Sequence, residues 1–195
     1  LQNIMRLHND SKPFCIDPTY STGKMYAKIQ QPIQKFDIIP QNKDVQYACS
    51  TALPLDNSSV KSIMFDPPFL ATKGPSLSRA NGNIINKRFT VFSDEKTLHN
   101  YYYNSITEFY RILKNKGLLV IKCQDKVSSG KNYFSHCYIH NYCTEIGFYP
   151  KDLFILLSKN RLIANWQRKN QIHARKYHCY FWVFTKQKTT INVKK

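Results

Sequence analysis

The feature that most constrains this chain is the alternation of short, almost wholly apolar strand segments with segments of helical period. Phe14 to Asp17, Lys35 to Ile39, Val45 to Ala48, Ser62 to Phe65, Leu118 to Cys123, Leu153 to Leu157 and His178 to Thr185 read as strands. Strands apolar at successive positions are buried on both faces, which requires helices above and below a mostly parallel sheet. A short helix through Met25, Ala27 and Ile29 is expected to stop before Pro32. The clearest helix is expected to have Ser93 as N-cap, Asp94 and Glu95 in its first turn, and Leu98, Tyr102, Phe109, Ile112 and Leu113 on its apolar face before Gly117. Phe134, Cys137, Tyr138, Tyr142 and Ile146 mark another helix closed by Gly147. No long helix fits between the last two strands, so the final strand is expected to be antiparallel. The expected fold is α/β, a doubly wound sheet of seven strands with a reversed last one.

Length and charge bound the rest. With 195 residues the chain suffices for one well-buried domain and not for two, so residues 1–195 are expected to form a single domain. Lys and Arg number 29 against 12 acids, a net charge of +17, which favours a polyanionic partner, nucleic acid more often than an anionic membrane. The alternative is a solvated basic surface. No apolar run approaches the length of a membrane span and the first ten residues lack a signal-peptide core, so an intracellular, cytoplasmic protein with no membrane partner is expected. Six cysteines include no CxxC pair, which indicates neither a zinc site nor a disulfide framework and leaves buried, reduced thiols as the expectation.

Two connections stand apart from the core. Residues 70–92 carry Lys73, Arg79, Lys87 and Arg88 and no acid, and residues 158–177 form a second polar, basic stretch. Long connections in compact domains are commonly functional, so both are candidate substrate-binding loops. From Lys151 to Lys195 eleven Lys and Arg face one acid, and residues 187–195 are expected to be a mobile tail.

The chemistry concentrates at Asp66-Pro67-Pro68-Phe69, which follows a buried strand. Ligands of open α/β sheets bind outside the carboxyl ends of the strands, so this tetrapeptide belongs in the cleft. Two prolines remove two backbone donors and stiffen the turn, leaving a carboxylate and a carbonyl as acceptors beside an aromatic face. Such a set suits an amino group on a planar ring: Asp66 and the Pro67 carbonyl accept its protons while Phe69 stacks on the ring. An ordinary proline turn is the alternative. Asp17 to Gly23 follows the first strand with small residues that let the backbone approach a nucleoside, and its single glycine makes it no dinucleotide phosphate loop. Asp37, about 20 residues beyond Asp17, stands where a ribose hydroxyl is bound in nucleoside folds, or else is a surface acid at a strand end.

The order PFCIDPTYSTGKMY, KFDII, ALPLDNSSVKSIMFDPPF, RILKNKGLLVIKCQD and HCYFWVFTK resembles the S-adenosylmethionine-dependent amino-methyltransferases that act on adenine N6 or cytosine N4 in nucleic acid. It looks most like the small bacterial, phage and mobile-element DNA methylases, over nearly the whole chain from about Phe14 to Lys186. Many relatives carry a Phe and an extra Gly where Thr19 and Ser21 stand, and often an Asp where Cys49 stands. The resemblance implies a Rossmann-like class I methyltransferase fold. It further implies that Asp17, Thr19, Ser21 and Gly23 line the methionine and ribose part of an S-adenosyl-L-methionine site, that Asp37 binds the ribose, and that Ser50 or Thr51 lies near the adenine. Asp66, Pro67, Pro68 and Phe69 are then the target-amine site. The amine attacks the sulfonium methyl directly, S-adenosyl-L-homocysteine leaves, no metal is needed, and the base is flipped out of the duplex.

Lys122-Cys123-Gln124-Asp125 ends the fifth strand and is expected to border the same cleft, with Cys123 structural rather than nucleophilic. His173 and Arg175 are candidates for phosphate or nucleotide contact, and Tyr101, Tyr103 and Trp166 for stacking. Adenine N6 methylation of DNA, as in restriction-modification systems, is the leading expectation. Cytosine N4 methylation and RNA methylation are its rivals, and an inert nucleic-acid-binding subunit is the alternative from another class. The chain has no room for the separate recognition domain of larger relatives. Specificity is therefore expected from the two basic connections, from a part preceding Leu1, from a homodimer or from a separate specificity subunit.

Overall fold

The computed structural model describes residues 1–69, 71, 92–128, 130–158 and 171–187. In chain order its strands are β1 (Ile16–Asp17), β2 (Gln34–Asp37), β3 (Gln46–Tyr47), β4 (Val60–Phe65), β5 (Leu113–Cys123), β6 (Lys126–Ser128), β7 (Lys131–Tyr133), β8 (Phe148–Leu157) and β9 (His178–Lys186). Seven of them form a central sheet of order β3-β2-β1-β4-β5-β9-β8. Pairings from β3 to β5 are parallel, whereas β9 runs antiparallel to both β5 and β8. The expected reversed last strand is therefore present, inserted between β5 and β8. The remaining two, β6 and β7, pair as a separate antiparallel hairpin that the sequence pattern did not announce.

Successive residues of the central strands feed opposite cores, as the period of two demands. Met64, Leu118, Val120 and Val183 face one way, against Ile4 and Met5 of helix α1 (Gln2–His8). Ile63, Phe65, Leu119 and Ile121 face the other, packed by Leu98, Tyr102, Ile106, Phe109 and Ile112 of α2 (Glu95–Ile112) and by Ile139 and Cys143 of α3 (Ser135–Ile146). At roughly 1.5–3 kcal/mol per buried side chain, these two layers hold the strands in register and so present their carboxyl ends as one rim.

Four local expectations are corrected. Asp94, not Ser93, caps α2: its carboxylate accepts from the Thr97 N–H at 2.8 Å, a bond worth about 1 kcal/mol. The helix ends at Ile112 rather than near Gly117, and β5 begins directly at Leu113. Lys116, at φ +62°, and Gly117 build an irregularity between the Val60–Leu113 and Ser62–Leu118 pairs, and a side chain at Gly117 would meet the Lys114 carbonyl at 2.7 Å. The expected helix after Gly23 is a single 3-10 turn, Lys24–Tyr26, because Pro32 closes the segment before a longer helix can form. Buried thiols are confined to Cys123 and Cys143, whereas Cys137 is exposed and the other three are partly covered; all six are free.

Order along the sheet reverses between β1 and β4, so a crevice opens at their carboxyl ends. Ala71 and Phe92 pair in one parallel bridge, and Phe92 stands on the wall of that crevice. Among the described residues no helix is long and apolar enough to cross a membrane.

Candidate active site

The turn after β1 is built around a buried acid. Asp17 is fully covered and accepts from the Tyr26 hydroxyl at 2.7 Å and the Thr19 N–H at 2.8 Å. Burial pushes its carboxyl up to about 7, against the lowering effect of those two donors. Thr19 then ties this turn to the next: its hydroxyl accepts from the Asp66 N–H at 3.1 Å. Gly23 has φ +66°, and a side chain there would fall 2.2 Å from the Tyr20 hydroxyl, so the loop can only close with glycine. Tyr20 in turn stacks on Tyr26, with ring centroids 5.7 Å apart.

Asp37, at the end of β2, reaches back to this loop. One of its oxygens accepts from the Ser21 N–H at 2.7 Å and the other from the Ile39 N–H at 2.8 Å. The carboxylate is thus fixed in orientation while it still lines the cavity. Ser50 is buried, donating to the Tyr101 hydroxyl at 2.8 Å and accepting from the Ser105 hydroxyl at 2.9 Å. Thr51 Oγ1 lies 3.1 Å from Cys49 Sγ.

Asp66 begins the turn after β4. Lys122 Nζ, on the neighbouring strand β5, donates to its Oδ2 at 2.9 Å, and Oδ1 is buried without a hydrogen-bond partner. Burial raises the Asp66 carboxyl above its ordinary range, and the Lys122 ammonium opposes that rise. The rest of the turn is held by its backbone. The Tyr102 hydroxyl donates to the Pro68 carbonyl at 2.9 Å and Lys126 Nζ to the Phe69 carbonyl at 2.6 Å, with Lys126 also 3.1 Å from Glu95. Phe69 is partly exposed, and its ring centre lies 6.0 Å from Lys122 Nζ.

These elements enclose a cavity of about 380 Å³, in the range of small-molecule sites. Of the residues singled out from the sequence, Thr19, Ser21, Gly23, Asp37, Ser50, Asp66 and Pro68 line it. Asp17, Thr51, Pro67 and Phe69 do not; Asp17 supports the first turn from beneath and Pro67 is buried. Tyr101 is on the lining, whereas Tyr103 reaches outward to Glu145. Lining residues that sequence reasoning missed include Met25, Ile38, Ile39 and Phe92. The signal for Ile38 and Ile39 was available, since they directly follow Asp37, whereas Phe92 is brought in only by its bridge to Ala71.

His173 has both ring nitrogens occupied, donating from Nε2 to the Gly130 carbonyl at 2.9 Å and accepting at Nδ1 from Asn132 at 3.1 Å. It therefore fastens the 171–177 segment to the β6–β7 hairpin, with Arg175 bonded to Gln171 on that segment. Lys73, Arg79, Lys87, Arg88 and Trp166 lie outside the described residues, as do residues 188–195 of the tail. Among the described residues no three His, Cys, Asp or Glu side chains form a group able to hold a metal.

No protein-family model matches the chain, and no curated protein sequence does. Solved structures do resemble it. PvuII DNA methyltransferase, cytosine-N4-specific, superposes with a TM-score of 0.51 at 16% identity over 72% of this chain and 48% of its own. A protein assigned as a DNA modification methylase from Thermus thermophilus gives 0.51 at 14% identity over 72% and 52%. The cyclase SpnF gives 0.52 at 10% identity over 95% and 81%. The matched part thus spans about half the length of the two DNA methylases, while the cyclase shows that the same architecture serves other reactions. What these likenesses establish is the fold, the mostly parallel seven-stranded Rossmann-like sheet of class I methyltransferases with its antiparallel β9.

Proposed function

We propose that this chain transfers the methyl group of S-adenosylmethionine to the exocyclic amine of a base in DNA, adenine N6 in the first instance. One observation carries the proposal: Asp66 of an Asp-Pro-Pro-Phe turn lines the same cavity as the glycine turn after β1 and the acid that ends β2. A nucleoside-type ligand and a reacting amine would meet there within one cleft, which is what a transfer between them needs. The fit to the cofactor rests on the lining: the turn from Thr19 to Gly23 for the polar end, the oriented Asp37 carboxylate for ribose hydroxyls, and Ile38 and Ile39 as apolar walls for a ring.

When bound, S-adenosylmethionine supplies an electrophilic methyl carbon on sulfur. Asp66 Oδ1 and the Pro67 carbonyl accept the two amine protons and turn the nitrogen lone pair toward that carbon, and Phe69 stacks on the base. With the cofactor bound, the chemistry it would supply is a methyl group passed from sulfur to that nitrogen, and Asp66 would take the surplus proton of the methylated amine. Most of the acceleration is positioning together with the negative charge held where positive charge develops. The two DNA methylases among the structural likenesses support DNA as the polymer, and the net charge of +17 supports a polyanion. The base must be extruded from the duplex to reach the cavity. Recognition is assigned to the basic segments 70–92 and 158–177, with Lys73, Arg79, Lys87 and Arg88 on the first and Arg175 on the second.

Incubation with methyl-labelled cofactor and either DNA or RNA, followed by digestion and mass spectrometry of the nucleosides, tests this directly. Label in N6-methyladenine from DNA is expected. Label in N4-methylcytosine or in RNA would redirect the target, and no labelled nucleoside from either polymer would overturn the activity.

A further inference from the structure

Lys122 sits on β5, beside the turn that carries Asp66, and it touches two parts of that turn at once. Its ammonium donates to Asp66 Oδ2 at 2.9 Å and lies 6.0 Å from the centre of the Phe69 ring, within reach of a cation–π attraction. Both charged side chains are 23% exposed, so the pair is largely but not wholly withdrawn from water. The other Asp66 oxygen is shielded from solvent and makes no hydrogen bond. Leaving a carboxylate oxygen buried and unpaired is costly. The chain avoids that cost at Asp37, where both oxygens are satisfied by backbone N–H groups. Around Asp66 there are therefore an acceptor without a partner, closed to solvent in the unliganded chain, a partly exposed charged donor next to it, and an aromatic face within reach of that donor, with Lys122 and Phe69 beside the cavity lining rather than on it.

We propose that Lys122 is a specificity-determining residue that donates a hydrogen bond to the ring nitrogen adjacent to the target amine, while Asp66 Oδ1 accepts from the amine itself. This role rests on the amine-methyltransferase function proposed above. A donor beside an acceptor complements the edge that adenine presents at N6 and N1 and cytosine at N4 and N3. Because Lys122 is neutralised by Asp66, the positive charge arriving on the amine nitrogen meets a neutral pair with its carboxylate nearest. Lys122 can reach both groups only because β4 and β5 are adjacent and parallel, with Phe65 paired to Ile121 immediately before the two residues.

The test uses the full chain and a duplex carrying the methylation site mapped with the wild-type protein. The target base is replaced by its analogue with CH at the ring nitrogen, 1-deazaadenine or 3-deazacytosine. Wild-type kcat/KM is expected to fall about 10- to 100-fold on the analogue, the loss of one hydrogen bond from a charged donor. In Lys122→Met the natural base is expected to be as poor as the analogue is for wild type, and the analogue to cost at most about a further twofold. Lys122→Gln keeps an N–H donor and is expected to restore part of the discrimination, and it carries the test should the Met variant not fold. Any easing of base extrusion by the analogue acts on all variants alike and cancels in the ratio. Equal analogue penalties in wild type and both variants would overturn the role and leave Lys122 as a brace for Asp66. Failure of the wild-type protein to methylate any nucleic acid would show first, in the mapping step, and would overturn both the function and this role.

Discussion

Asp37 and Asp66 line the same cavity, yet the chain treats the two carboxylates differently. Asp37 is finished by its own backbone, with Ser21 and Ile39 each giving an N–H to one oxygen. Asp66 is left half finished, with one oxygen on Lys122 and the other buried and unpaired. In the proposed function the β1–β2 side is therefore a prebuilt holder, whose hydrogen bonds exist before anything enters. On the β4–β5 side the proposed function leaves the bonding to be completed by a ligand. A holder followed by an incomplete acceptor is the division of labour expected when one molecule is stored in position and another is made to react with it.

Removing each acid in turn separates the two roles. Asp66→Ala is expected to lower methyl transfer about 1000-fold in single-turnover assays, the scale on which positioned polar groups at a reacting centre act. Unchanged turnover in that variant would remove Asp66 from the chemistry. Asp37→Ala is expected to weaken cofactor binding by roughly 10- to 100-fold in calorimetric titration, with transfer at saturating cofactor reduced much less. Affinity that stays within about threefold of wild type would place the ribose elsewhere.

A smaller effect concerns Asp17, the buried acid beneath the holder. Its carboxyl is pushed from an ordinary 3.8 up to about 7, so between those values the folded chain keeps a proton that the unfolded chain has released. Stability is thus fully supported below about pH 4 and declines as pH rises through about 7, by at most about 4 kcal/mol from this group. Asp17→Asn keeps both bonding partners without titrating. The stability of that variant relative to wild type is expected to grow between about pH 4 and pH 8 in denaturant titrations, and a difference independent of pH would contradict the assignment. The gentlest prediction is for the acid-free connection: reversing Arg79, Lys87 and Arg88 together is expected to reduce the slope of log affinity against log salt by about 0.9 for each phosphate no longer neutralised. An unchanged slope would give that segment another task.

The contrast also explains which parts were legible in the sequence. Nearly unbroken apolar runs such as Ser62 to Phe65 and Leu118 to Cys123 announce doubly buried strands, and those two form the adjacent parallel centre of the sheet. The acid at the end of β2 and the acid-proline turn after β4 were recognisable by residue type and place. Less legible was anything made by long-range pairing. Lys122 was visible as the end of a strand, but its bond to Asp66 depends on the β4–β5 register. Asp17 looked like a cavity residue and is instead a buried support, because Tyr26 folds back onto it through a 3-10 turn too short to announce itself by periodicity. Capping by Asp94 in place of Ser93 is of the same kind, a choice between two adjacent good caps decided by which side chain reaches the Thr97 N–H.

The division between holder and reacting side is tested most directly by measuring S-adenosylmethionine affinity in Asp66→Ala beside its rate of methyl transfer. The proposed function predicts a Kd within about threefold of wild type together with the near-complete loss of transfer, since removing Asp66 takes away the proposed amine site and leaves the Ser21–Asp37–Ile39 hydrogen bonds untouched. A loss of affinity that parallels the loss of rate would contradict it, because the two acids would then be serving one molecule instead of two.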